Sequence, residues 1–221
     1  WQVSLDEGRT WSPPQQLICA GDEFDETHWA PGIYHGRNNT VISTKPFLTD
    51  SAGRMMMPYN GAMLFGETIH NPAIDQAHSS PDGNHQFESG MFFATWGGDG
   101  RSLRWEMGEP MTLGRAQSCD GADEPSAAFL PDGRLFMVLR ARQFENTGQT
   151  DPPQHYYAIS HDQGKTWDNG QPLVYDDGST AMAPACLAHA LRSTKNDRVY
   201  VITNFTELRP VNCDPRNECW I

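Results

Sequence analysis

The chain has 221 residues, a formal net charge of −12 and a sequence pI of about 4.9. This length allows a domain with a sizeable core, and the 20 glycines and 16 prolines suit short strands joined by turns. The negative charge argues against nucleic acid or an anionic membrane surface as the partner, because both would repel the molecule on average. No apolar run approaches the ~20 residues that cross a bilayer.

Two eight-residue segments share the pattern Ser-x-Asp-x-Gly-x-Thr-Trp, at residues 4–11 and 160–167. The pattern predicts the tip of a β-hairpin, because an Asp carboxylate accepts hydrogen bonds from following backbone N–H groups and the glycine can take a positive φ. A calcium loop is the competing interpretation, but the single carboxylate that the shared pattern fixes falls short of the oxygen ligands that calcium requires. Residues 96–105 keep an Asp, a Gly, a hydroxyl and the closing Trp but shift their spacing, and are interpreted as an eroded third copy.

The two intact segments resemble the Asp-box of sialidases and related BNR-repeat β-propellers, in which the box marks the hairpin between the third and fourth strands of a blade. The resemblance implies an all-β fold, namely a sialidase-like six-bladed β-propeller, with about three blades present here. It also implies that the box residues lie far from the active site, so Asp6 and Asp162 are assigned no catalytic role. Because the chain opens inside a repeat and has no initiator Met, we expect an internal fragment of a longer protein.

The whole of residues 1–221 is predicted to belong to one propeller domain. Residues 1–20 are expected to end one blade, 30–115 and 122–178 to form two more, and 182–221 to begin another. Residues 66–88 lack periodicity and are expected to form a long loop. Alternating and β-branched or aromatic residues predict the following strands: 15–19, 41–48, 54–59, 90–95, 105–108, 126–130, 134–140, 156–159, 171–175, 184–188 and 198–204.

The histidines and cysteines predict no metal site and no cofactor. The histidines of the long loop have spacings that suit no helix face or tight turn, and the five cysteines lack the closely paired pattern of metal ligands. Cys213 and Cys219 could close a small disulfide loop in an oxidising compartment, or both could be free thiols. The compartment is left open, with a secreted or extracytoplasmic location favoured.

Candidate chemistry lies where the inner strands of a propeller converge on the central axis. Glu124 enters one predicted inner strand and Arg140 ends its partner, so hairpin pairing should bring a carboxylate and a guanidinium to one mouth. The alternative is an ordinary surface ion pair, which would contribute roughly 0–1 kcal/mol and no function. Strand alternation would give Arg142 the same face as Arg140, so the choice between them depends on the spacing seen in the family.

The run from Glu124 to Arg140 resembles the sialidase segment that carries two active-site residues. The resemblance implies that Glu124 polarises a nucleophilic tyrosine and that Arg140 is one of three arginines that clamp the substrate carboxylate. A phenol with a pKa near 10 needs a base to become a nucleophile, and a planar guanidinium binds a carboxylate in bidentate fashion. The nucleophilic tyrosine and the general-acid Asp of the family are expected outside residues 1–221, and Arg209 is a further candidate for the clamp.

These features predict a sialidase-like glycoside hydrolase that releases a terminal sialic acid, or a related anionic sugar, from glycoconjugates by a retaining mechanism. Sialylated or other anionic glycans are the expected substrates, and neither nucleic acid nor a membrane span is expected. The alternative is a non-catalytic Asp-box propeller that binds glycan or protein, because such boxes also occur in binding modules.

Overall fold

The computed structural model describes residues 1–15, 17, 47–64, 85–114, 116–143, 151–216 and 219. The elements within these ranges are all β-strands. In chain order they are β1 (Leu48–Thr49), β2 (Met55–Leu64), β3 (His85–Trp96), β4 (Leu103–Met107), β5 (Asp123–Phe129), β6 (Leu135–Arg140), β7 (Tyr156–Ser160), β8 (Gln171–Pro172), β9 (His189–Arg192) and β10 (Val199–Ile202).

The strands form three antiparallel sheets in which neighbours in sequence are neighbours in space. We call β1–β4 the first blade, β5–β8 the second blade, and the two-stranded sheet of β9 and β10 the third blade. Two four-stranded sheets with consecutive strand order have the topology of propeller blades. The predicted fold class, an all-β propeller, is therefore confirmed, and the total of six blades stays a prediction.

The hairpin of β5 and β6 is packed on both faces. Every residue of β6 is buried. On one face Leu135 and Met137 belong to one apolar cluster with Met56 and Met91 of the first blade. On the other face Val138 belongs to a cluster with residues of the third blade. A fully buried side chain of this size contributes about 1.5–3 kcal/mol, so the hairpin is a firm support for the residues at its ends.

The Asp-box turns have the predicted hydrogen bonds. The Asp162 carboxylate accepts bonds from the Lys165 N–H at 3.0 Å, the Thr166 N–H at 2.9 Å and the Thr166 hydroxyl at 2.6 Å. In the first box the Asp6 carboxylate accepts two corresponding bonds, from the N–H and the hydroxyl of Thr10. In the eroded copy the Asp99 carboxylate also accepts three bonds from the two residues that follow its glycine.

The box of the second blade rests directly on the first blade. Gly164 has a φ of 90°, and its carbonyl oxygen would lie only 2.4 Å from a Cβ placed on Gly108. Glu109, which follows Gly108, donates a backbone hydrogen bond of 2.8 Å to the Lys165 carbonyl. The box is therefore a contact between blades as well as a turn.

One loop prediction and two strand predictions were wrong in part. The loop expected over 66–88 ends earlier, because β3 begins at His85; the rest of that loop lies outside the described residues. The strand expected at 171–175 ends at Pro172, because Val174 pairs instead with Thr180 in an isolated bridge. The strand expected at 184–188 forms later in the chain, as β9 at His189–Arg192. Residue Ala185 is not in a strand, because its N–H is bonded to the Asn212 carbonyl.

Two further strand predictions fall mostly outside the described residues. Of the strand expected at 41–48, the structure describes only the last part, where β1 forms at Leu48–Thr49. Of the strand expected at 15–19, residues 15 and 17 alone are described, and neither belongs to a strand.

Candidate functional site

The site lies at the start of β5, where the ladder with β6 is irregular. The register shifts between Asp123 and Ser126, and Glu124 has a φ of 43°. A positive φ is unusual for a residue that precedes proline, since such residues favour the extended region. The bulge gives the two adjacent carboxylates different surroundings: the Asp123 side chain is 8% exposed and the Glu124 side chain 25% exposed.

Glu124 and Arg140 are in direct contact. The Arg140 Nη1 lies 2.7 Å from Oε2 of Glu124. Burial by itself lowers the pKa of Arg140, but the hydrogen bond and charge of Glu124 and the charge of Asp123 outweigh it, so the pKa is raised. The guanidinium is therefore a permanent positive charge on a side chain that is 10% exposed. The contact that hairpin pairing predicts is observed, while the roles of the two residues stay predictions.

Glu124 and Arg140 each keep atoms that can form further hydrogen bonds. Nε of Arg140 is buried and has no hydrogen-bond partner among the described residues, and Nη2 has a long contact of 4.0 Å to Sγ of Cys213. The N–H groups of Nε and Nη2 form one edge of the guanidinium, which is an edge that binds a carboxylate in bidentate fashion. The Glu124 side chain is bonded through Oε2, so Oε1 remains available to a hydroxyl group.

Asp123 is the member of the site that the sequence did not reveal. Its Oδ1 accepts hydrogen bonds from Nδ2 of Asn60 at 2.9 Å and from the Glu124 N–H at 2.8 Å, and its Oδ2 lies 3.6 Å from Nη1 of Arg140. Burial, and then the charge of Glu124, raise the pKa of Asp123 to about 6, against the opposing effect of Arg140. The one available signal was its position next to Glu124.

Arg142 belongs to a separate ion pair. The strand alternation that was expected to relate Arg140 to Arg142 does not extend to Arg142, because β6 ends at Arg140. Arg142 follows the strand, and its Nη1 lies 3.0 Å from Oδ2 of Asp120. Burial raises the pKa of Asp120, although the charge of Arg142 acts in the opposite direction. This second pair joins the segment that leads into β5, through Asp120, to the segment that follows β6, through Arg142.

Cys213 lies on a turn that faces Arg140 from the direction of the third blade. The turn is closed by backbone bonds between Val211 and Asp214, and it is anchored by the bond from Ala185 to Asn212. Cys213 and Cys219 are both free thiols, so the disulfide option is not realised. Arg209, the further candidate for the clamp, is exposed.

The described residues hold no nucleophile bonded to Glu124. The Tyr156 hydroxyl donates to Asp151 at 2.8 Å, and the Tyr200 hydroxyl accepts from Asn196 at 2.8 Å. In the part of the chain that the structure describes, no group of three or more His, Cys, Asp or Glu side chains is arranged to hold a metal ion. The same part contains no helix of the length and apolarity needed to cross a membrane.

Comparisons with known proteins identify the family. The family model described as a BNR repeat-like domain matches residues 1–218, so the chain belongs to that family. A protein of unknown function from Dyadobacter fermentans DSM 18053 is similar in structure, with 16% identity and a TM-score of 0.55 over 99% of this chain and 50% of its own. An alpha-L-arabinanase from Penicillium chrysogenum, complexed with arabinobiose, has 18% identity and a TM-score of 0.44 over 90% and 47%.

The chain thus spans about half the length of both solved structures. No curated protein matches it.

Proposed function

We propose that this BNR repeat-like chain supplies two active-site residues of a glycoside hydrolase that releases a terminal sialic acid, or a related sugar acid, from a glycan. The observation that carries the proposal is the contact of 2.7 Å between Glu124 and Arg140. It joins a partly exposed carboxylate to a buried cation at the end of the hairpin that lies between two blades. A surface ion pair would not need a bulge, a positive φ and a packed hairpin to hold it.

Arg140 is the proposed clamp for the substrate carboxylate. An acidic protein repels an anionic sugar on average, so binding depends on a local cation. Glu124 holds Nη1, which fixes the plane of the guanidinium and leaves the edge of Nε and Nη2 for the incoming carboxylate. Cys213 lies against this edge, so the substrate must displace its side chain. A fixed guanidinium loses little conformational entropy on binding, which favours affinity.

Glu124 is the proposed base for a nucleophilic tyrosine. Its Oε1 faces no donor among the described residues and could accept the phenolic proton, while Arg140 holds Oε2. Sialidases are the group of glycosidases that use tyrosine, since a carboxylate nucleophile would be repelled by the carboxylate of the sugar. Attack by tyrosine breaks the glycosidic bond and forms a covalent glycosyl-enzyme, while the leaving oxygen takes a proton from the general-acid Asp expected outside residues 1–221. Hydrolysis of the glycosyl-enzyme by water gives retention at the anomeric carbon.

The test is hydrolysis of a fluorogenic sialoside by the full-length protein and its variants. We expect Glu124→Ala to lower kcat by about 10²- to 10⁴-fold, as loss of a general base does. Arg140→Ala should lower kcat/KM by a similar factor, mainly through KM, because the carboxylate loses its bidentate partner. The matched control is Arg134→Ala, which breaks the exposed pair with Asp132 at the opposite end of the same hairpin and should change kcat/KM less than about twofold.

The result that overturns the proposal is turnover close to wild type in both Glu124→Ala and Arg140→Ala. Wild-type binding of a sialoside without hydrolysis would instead assign the chain to the non-catalytic binding propellers. Hydrolysis of another anionic sugar, with the same sensitivity to both substitutions, would keep the residue roles and change the substrate.

A further inference from the structure

Arg140 lies between two carboxylates that differ in burial and in support. Glu124 contacts Nη1 from the more exposed side, and Asp123 lies 3.6 Å from the same nitrogen on the buried side. Asp123 is held by the Asn60 side chain of the first blade and by the backbone of Glu124. When both carboxylates are ionised, the three groups carry a net charge of minus one, and the guanidinium is already neutralised.

We propose that Asp123 is a proton-operated gate on the anion-binding capacity of Arg140. Ionised Asp123 occupies Arg140 as a second carboxylate partner, and protonation of Asp123 leaves the positive charge of Arg140 to an incoming carboxylate. The proposal deepens the function given above, since it assigns a regulator to the same arginine. Its test needs no hydrolysis and no sugar.

The surroundings of Asp123 favour a proton at mildly acidic pH. Burial and the charge of Glu124 raise its pKa to about 6. The Asn60 amide and the Glu124 N–H both donate to Oδ1, so the second oxygen can take a proton without breaking either bond. Ionised Oδ2 of Asp123 attracts Arg140 and so competes with any ligand carboxylate for the guanidinium. Protonation of Asp123 removes this competition.

Other titratable groups lie on the elements that pack against β5, and the test must separate them from Asp123. Asp120 has a raised pKa and pairs with Arg142. His189 on β9 contacts the Ser126 hydroxyl through Nδ1 at 3.3 Å. Among the described residues, the charges of Glu124, Arg140 and Asp120 act on Asp123, and the Cys213 thiol acts on Arg140. Glu88 on β3 and His189 on β9 lie on strands that contact β5, and Arg142 pairs with Asp120.

The gate has a direction that can be measured. Affinity of the site for a small anion should rise as the pH falls through about 6, because Asp123 becomes neutral. Asp123→Asn keeps the Oδ1 acceptor and the shape of the side chain but is always neutral. The variant should therefore have, at neutral pH, the anion affinity that the wild-type protein has only under acidic conditions.

Cys213 provides a reporter next to Arg140, with Sγ 4.0 Å from Nη2. Iodoacetate is anionic and iodoacetamide is neutral, and both alkylate a thiolate: the S–C bond forms, iodide leaves, and the thiol proton has passed to solvent. The thiolate fraction enters both rates equally. The ratio of the two rates at Cys213 therefore measures attraction of an anion to this position, and peptide mass spectrometry resolves it from exposed Cys219 in the same sample.

We expect the iodoacetate-to-iodoacetamide ratio at Cys213 to rise about three- to tenfold between pH 7.5 and pH 5.5, the effect of removing one nearby charge at a partly exposed site. In Asp123→Asn the ratio should be high at both pH values. It should stay flat at Cys219. Asp120→Asn and His189→Gln should keep the wild-type pH dependence, because neither group is the gate.

A flat ratio at Cys213 in the wild-type protein overturns the gate, and so does loss of the pH dependence in His189→Gln or Asp120→Asn in place of Asp123→Asn. A second measurement needs neither a variant nor a reagent: the Asp123 carboxyl carbon and the Arg140 side-chain nitrogens should titrate together in NMR spectra between pH 5 and 7. A midpoint below pH 4.5 for Asp123 also overturns the gate. Absence of sialoside hydrolysis would contradict the proposed function, but it would not affect the alkylation and NMR tests of the gate.

Discussion

Asn60, in the middle of β2, donates a hydrogen bond of 2.9 Å to the carboxylate of Asp123 at the start of β5. Both side chains are buried, and the two residues are 63 positions apart in sequence. The bond connects the first blade to the second at the point where the candidate site lies. An amide of one blade thus supports a charged group of the next, and the geometry of the site depends on the packing between them.

Asn60→Leu should destabilise the protein by about 1–3 kcal/mol at pH 7.5, because a buried acceptor loses a donor. The loss should be smaller at pH 5, where Asp123 is protonated and needs the donor less. Urea unfolding at the two pH values measures the difference. The control is Asn196→Leu, which removes an exposed bond to Tyr200 and should cost less than about 0.5 kcal/mol. Equal losses at both positions would contradict the role of Asn60.

Asp123→Asn should stabilise the protein at neutral pH. The folded-state pKa of Asp123 is raised to about 6, whereas the pKa of an unfolded Asp is near 4. Asp123 therefore contributes to the free energy of unfolding below pH 4, and this contribution is lost as the pH rises through about 6. A neutral isostere avoids that loss, and its advantage should grow between pH 4 and 6 to about 1–3 kcal/mol. Denaturant melts at pH 4.5, 5.5, 6.5 and 7.5 measure the trend.

The matched control for this substitution is Asp132→Asn. The hydrogen bonds from the Arg134 side chain and backbone lower the pKa of Asp132, so the sign is reversed and the variant should lose stability at neutral pH. If Asp123→Asn is instead the less stable protein at pH 7.5, the attraction to Arg140 outweighs the cost of burial and the linkage argument fails.

Asp162→Ala should lower stability without lowering catalysis per folded molecule. The substitution removes the acceptor for the Lys165 and Thr166 N–H groups and for the Thr166 hydroxyl, and a cost of about 1–3 kcal/mol follows. Thermal melts, and sialoside hydrolysis normalised to folded protein, measure the two effects. Asp168→Ala removes an exposed contact with His161 and serves as the control, with a cost below about 0.5 kcal/mol. Loss of kcat in folded Asp162→Ala would assign the box a catalytic part.

Local chemistry explains why the hairpins were predictable. A box needs only its own Asp, Gly and hydroxyl groups, so the pattern in the sequence determines the turn. The pairing of Glu124 with Arg140 also followed from a short hairpin. The strand β9 was predicted too early in the chain, because backbone donors of the preceding segment bond to distant loops, as the Ala185 N–H does to the Asn212 carbonyl. Nothing in the residues of 184–188 indicates those distant partners.

The role of Asp123 could not be predicted for a different reason. A glutamate before proline is expected to be extended, and on a regular strand Asp123 and Glu124 would lie on opposite faces. The positive φ of Glu124 and the register shift bring both carboxylates to Arg140. Their cause is tertiary, because Asn60 of another blade fixes the Asp123 side chain.

The absent side chain at Gly108 has a consequence for how such a protein can grow by duplication. The space for the loop of the second blade is provided by the residue that follows the last strand of the first blade. A gene segment that copied one sheet alone would carry a box but leave behind the glycine that accommodates it. The smallest segment that carries both partners of this contact therefore runs from the residue after the last strand of one blade to the Asp-box of the next. Its ends do not coincide with the ends of the blades.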